Sequence, residues 1–277
     1  KDLPKRQPEI GIYKMQSQKN SSSITLDQTL DTKEIKIIGL YDPGDYDLDI
    51  NMWSNSDGDQ LKNIFSKINK LKLSNDAKEI MNISVLTNAY SPQKNISNRE
   101  FLEFKSRWLI KNSDLDLIEN YLIKNQIINS HPKLTKYFLD EHLSRGNIDK
   151  ACNIFEKNSE VINDNYISKY NIYCLIKSNQ IEQAQLIYDL KKELGFDDKY
   201  FEKKINFLLN YSSEIDENIS EKTILDFYLA HKTNPNFLFD PNEKTKKIIW
   251  KYLSSANLLN SLKEIETTDL DKISLIE

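Results

Sequence analysis

The sequence predicts an all-α protein: a helical-hairpin solenoid with a flexible N-terminal tail. Two observations carry this prediction. Long stretches bearing Leu, Ile, Tyr and Phe are interrupted by only six glycines and seven prolines in 277 residues, too few of the turn signals that a strand-rich sandwich requires. A pattern of turn, small and large apolar residues also recurs at a fixed spacing of 33, in segments opening at Asn112, Arg145 and Ser178. A period of that length is the mark of stacked helix pairs.

In chain order, residues 1–34 hold Pro4, Pro8 and the run Ser21-Ser22-Ser23 with few large apolar side chains, too little to offset the entropy of ordering them. They are read as the flexible tail. Residues 35–96 form an N-terminal segment. It opens on the apolar run from Ile35 to Tyr41, broken at Pro43-Gly44, which reads as a short strand or an ordered loop laid over helices. Leu61, Ile64, Phe65 and Ile68 then share one helical face. Ser74 is a candidate N-cap for residues 77–89, where Ile80, Ile83, Val85 and Leu86 fall near one side. The two helices are expected to pair as a hairpin.

Residues 97–195 carry the repeats. Ser97 and Glu100 form a capping box, each side chain satisfying the other's orphan amide at a helix start. In each repeat a turn residue (Ser113, Gly146, Asn179) is followed two residues later by an aliphatic one (Leu115, Ile148, Ile181). Ile118, Ala151 and Ala184 then hold a close-packing position, and Leu122, Phe155 and Tyr188 a large one. This resembles the tetratricopeptide repeat over residues 98–194, in which a small residue early in the second helix lets two helices approach closely. The usual Trp and terminal Pro are missing, and only Gly146 supplies a glycine at the turn. By repeat register, Phe104, Arg107, Tyr137, Glu141, Tyr170 and Tyr173 line the concave face made by the first helices.

Residues 196–277 continue as helices without the 33-residue register. Gly195 is a stop signal, and Asp197 or Asp198 caps a helix bearing Phe201, Ile205, Leu208 and Leu209. Ser220 is the expected cap for Ile224, Leu225, Tyr228 and Leu229. The run Asp240-Pro241-Asn242-Glu243 is the expected start of a helix bearing Ile248, Ile249, Tyr252 and Leu253. The chain opens on Lys1 and ends at Glu277 within an apolar-periodic segment, from which a longer polypeptide is expected.

Chemistry-bearing motifs are few. There is no G-x-G-x-x-G, phosphate-cradling loop, G-x-S-x-G or H-E-x-x-H, so no catalytic or cofactor-binding residue is assigned and no cofactor is expected. His131, His142 and His231 are scattered; His142 beside Asp140 and Glu141 is the nearest approach to a metal set and is read as a core or surface histidine. The acids from Asp42 to Asp59 fail the calcium-loop pattern, since counting from Asp45 the glycine and glutamate positions hold Ile50 and Ser56. Trp53, Trp108 and Trp250 are read as core aromatics. With 38 basic and 42 acidic side chains the net charge is −4, so no field draws the chain onto nucleic acid. No run approaches the 18 or more apolar residues of a membrane span, so no membrane insertion is expected in this segment.

Cys152 falls early in the second helix of the middle repeat and Cys174 in the first helix of the next, helices that neighbour each other in a hairpin array. A disulfide and two buried thiols both remain open on that ground. The whole pattern is similar to a family of exported alphaproteobacterial helical-repeat proteins. The matching stretches are Gly39-Leu40-Tyr41-Asp42, Asn51-Met52-Trp53, Leu73-Ser74 to Pro92, Ala151-Cys152, Tyr173-Cys174 and Ala184 onward. The resemblance implies a cleaved export signal and a periplasmic location, favours the Cys152–Cys174 bridge, and supplies no activity. The expected function is a non-catalytic periplasmic adaptor or scaffold that binds a protein or peptide. The alternative is a helical accessory domain of a cell-envelope enzyme whose catalytic domain lies beyond Glu277.

Overall fold

A computed structural model describes residues 37–156, 158 and 161–259. The predicted tail over residues 1–34 and the apolar segment ending at Glu277 lie outside the described residues. Within them the protein is all-helical: eleven α-helices and a 3₁₀ turn at Pro43–Tyr46, with no strand beyond the isolated bridges Tyr41–Thr87 and Asp57–Lys94.

The N-terminal segment is the ordered loop. Leu40 and Tyr41 donate to the Leu86 carbonyl, and Asn88 donates back to Tyr41. A Cβ on Gly39 would lie 2.6 Å from the Leu86 oxygen, so only glycine permits this approach. Asp57 and Ser74 cap α1 (Gly58–Ile68) and α2 (Asn75–Leu86). Leu61, Phe65, Val85 and Leu86 are buried, whereas Ile64 and Ile80 face solvent. The chief helix partner of α2 is α3 (Asn98–Asn112) rather than α1.

Helix α3 opens on the expected capping box, with Ser97 Oγ accepting from Glu100 N and the Glu100 carboxylate from Ser97 N. Leu115, Ile148 and Ile181, the aliphatic positions of the repeat, are the first residues of α4 (Leu115–Asn125), α6 (Ile148–Glu156) and α8 (Ile181–Glu193). Ile118, Ala151 and Ala184 are fully buried where those helices meet their neighbours. The tightest pairs join α5 (Pro132–Ser144) to α6 and α7 (Asn165–Lys177) to α8. Gly146 and Asn179 turn these two hairpins at φ +75° and +62°, in the left-handed region. Ser113 is extended at φ −114°, and α3 and α4 do not pair as closely. The 33-residue sequence period therefore corresponds to two close hairpins and one looser pair.

The remaining helices are α9 (Lys199–Leu208), α10 (Ile224–Thr233) and α11 (Lys247–Ser255). Asp198 caps α9. Two expected starts shift. Thr223, not Ser220, caps α10, because Ser220 Oγ accepts instead from Lys222 in a local turn. Residues 240–243 do not open a helix: Asn242 accepts from Lys244 N and its own amide donates to Thr245 Oγ1, so the side chain closes a turn and α11 begins at Lys247. Helix α10 is buried around most of its circumference, with Leu225, Phe227, Leu229 and Ala230 all buried beside the ion-paired Asp226. It packs on α5 and α9, while α11 returns across α5, where Ser255 Oγ donates to the Ser144 carbonyl.

Candidate functional site

The face of α5 and α7 that repeat register assigns to a groove is covered by the chain itself. Tyr173 and Tyr228 share a hydrogen bond of 2.7 Å, Lys251 pairs with Glu141 at 2.6 Å, and Tyr170 donates to Asp140 from full burial. Lys169, also buried, bonds Asp226 at 2.9 Å and Asp198 at 2.7 Å, tying α7 to α10 and to the cap of α9. Phe104 is buried against Phe65, and Arg107 reaches Glu103 from solvent. Tyr137 alone of the six stands half-exposed without a polar tether to α10 or α11.

The histidines lie apart, His131 and His142 buried and His231 half-buried. Ser106 Oγ lies 2.6 Å from His131 Nδ1, and Tyr121 OH lies 3.2 Å from Nε2. Ser106 also donates to the Leu102 carbonyl at 3.0 Å, so the complementary arrangement has Nδ1–H donating to Ser106 and the Tyr121 hydroxyl donating to Nε2. That polarity is opposite to the one that would activate a serine nucleophile. Burial, aided by the nearby Lys105 charge, pulls His131 down to about 3, and burial pulls Lys105 down to about 7. Lys105 Nζ donates to the Ile38 carbonyl at 2.7 Å, anchoring the N-terminal loop. The ring of His142 packs edge-on against Phe138, and neither of its nitrogens has a hydrogen-bond partner. Asp140 accepts from Tyr166 and Tyr170, and Glu141 takes Arg145 and Lys251, so the three neighbours in sequence serve different partners. Among the described residues no three His, Cys, Asp or Glu side chains converge on a common point. The acids between Asp42 and Asp59 close turns: Asp42 accepts from Gly44, Asp49 from Asn51, and Asp57 caps α1.

Cys152 and Cys174 form a disulfide that links α6 to α7 with their Cα atoms 5.5 Å apart. Beside it lies a cleft of about 640 Å³ between α6, α7 and α8, walled by Phe155, Val161, Ile162, Leu175, Ile187 and Leu190. Its polar lining is mostly uncharged, from Asn171, Ser178, Gln180 and Gln183. Leu190, in its wall, is 42% exposed and is flanked by Leu186 on α8 at 68% and by Leu194 at the helix C-cap at 69%. At 3.6 residues per turn, Leu186 and Leu194 stand about 40° either side of Leu190, making one ridge. A second cleft of about 590 Å³ between α1 and α3 has an aromatic floor of Phe65 and Phe104. Its rim charges neutralise one another, Lys62 with Glu100 and Glu103 with Arg107.

Sequence periodicity did not separate this ridge from a core stripe, because exposed and buried leucines at i, i+4 and i+8 read alike. No family model, no curated protein and no solved structure matches the chain.

Proposed function

We propose that this protein is a non-catalytic, periplasmic binding module that engages a protein or peptide partner along the outward face of α8 and the adjoining cleft. The observation that carries this reading is the leucine ridge beside an apolar, largely uncharged cleft. Contiguous exposed apolar surface is one mark of an interaction site. Hairpin arrays present such surfaces on rigid helices. The covered face of α5 and α7 supports placing the partner outside rather than in the concave groove. A non-catalytic role fits the Ser106–His131 pair, whose hydroxyl is committed to a backbone carbonyl inside the core. A disulfide between neighbouring hairpins persists in oxidising compartments, in keeping with the periplasm. No described helix is long and apolar enough to cross a membrane.

Affinity capture of the tagged, crosslinked full-length protein from its native cell envelope tests the reading. A single stoichiometric partner is the expected result. Recovery of none, across crosslinkers of different reach, would overturn it in favour of a spacer or an accessory domain.

A further inference from the structure

We infer that the partner's docking segment is a basic amphipathic helix. This rests on the binding-module reading and adds the chemistry of what binds.

Charge is placed unevenly around the ridge. On α8 the cleft lies on one side of Leu190, where Gln183, Ile187 and Lys191 contribute to its wall. The opposite side carries Glu182, Asp189 and Glu193, all exposed. The neighbouring lysines on α8 are committed chiefly to other partners, although Lys192 also lies within the field of Asp189, whose carboxylate accepts from Gln185. Lys192 pairs with Glu202 at 2.6 Å, and Lys191 is buried and donates to the Asn163 carbonyl. None of the three acids takes part in an ion pair among the described residues, although ion pairs are common over the rest of the surface. Cleft, leucine ridge and acidic row therefore run parallel along the helix. A helix laid beside α8 would present its apolar stripe to Leu186, Leu190 and the cleft, and a flank of Lys or Arg to Glu182, Asp189 and Glu193. Helix-in-groove docking uses apolar anchors at i, i+3 or i+4 and i+7, and flanking charge sets orientation and encounter rate. An acidic segment would meet like charge along its whole length, and a second copy of α8 would bring the same acidic row.

The test is binding of two labelled helical peptides to the full chain, read by fluorescence anisotropy. One has leucines repeating on one face with Lys and Arg flanks; its twin carries Glu and Asp in those places. The basic peptide is expected to bind and its twin not. Neutralising Glu182→Gln, Asp189→Asn and Glu193→Gln together is expected to weaken binding about tenfold at low salt, an effect that fades as salt screens it. Leu186→Ser with Leu194→Ser, at exposed positions where folding is not at stake, should weaken it at all salt concentrations. Neutralising Asp45, Asp47 and Asp49 on the N-terminal loop should leave it unchanged. Equal binding of the two peptides, an equal loss from the loop variant, or no binding would overturn the inference. So would self-association of the chain abolished by Leu186→Ser. If the peptide fails while envelope capture still yields a stoichiometric partner, the binding-module reading survives without the basic helix.

Discussion

His131 sits uncharged in the core; burial holds it, the buried His142 and the half-buried His231 below the ordinary imidazole value. An unfolded histidine protonates near pH 6.5, while His131 in the fold resists to about 3. The stability it carries is therefore full above pH 6.5 and lost as pH falls toward 3, at about 1.4 kcal/mol per pH unit for a fully buried imidazole. Denaturant unfolding followed from pH 7.5 to 4.5 should show this slope, and His131→Gln should make it shallower. Burial raises Asp140, which works the other way. Lys105 adds a slope on the alkaline side. Held down at about 7 against 10.5 unfolded, it makes the fold more stable as pH rises between those values, and Lys105→Met should flatten that rise. The bond of His131 to Ser106 spans 25 positions and has no local signature in the sequence.

At the scale of the element, what was legible is what is local. Ser97 with Glu100, Ser74, Asp198 and the buried Ala151 and Ala184 were all readable, because a cap or a close helix contact is specified within a few residues. The errors at Ser220 and Asp240 came from side chains that satisfy themselves in turns before the helix begins. Ala184→Leu should overpack the α7–α8 contact and destabilise by about 2 kcal/mol, measured by chemical denaturation. Gly146→Ala places a side chain in the left-handed region and should cost about 1 kcal/mol, whereas Asn179→Gly should be neutral or stabilising. Reducing the Cys152–Cys174 bridge, or replacing both cysteines with serine, should cost about 3 kcal/mol by freeing the unfolded chain. A melting temperature unchanged by reductant would contradict this.

For the molecule as a whole, the decisive feature is the return of α10 and α11 onto α5. It joins residues more than a hundred positions apart, as at Lys251–Glu141 and Ser255–Ser144, and repeat register carries no information about it. Periodicity alone predicted an open array with its groove along the first helices; the run of apolar residues from Ile224 to Ala230, broken only by Asp226, is the local signal that fits a helix buried around most of its circumference. Lys169 welds the closure, and Lys169→Met, which strands Asp198 and Asp226 without their cation, should destabilise the fold by about 3 kcal/mol or more. With that inner face closed, the proposed docking surface is the exposed ridge of α8. Site-specific photo-crosslinking in native cells compares the two faces directly, with the probe placed at Leu186 in one strain and at Tyr137 in another. Adducts to a partner from position 186 and none from 137 are predicted; adducts from 137 alone would place the partner against the inner face and contradict the account.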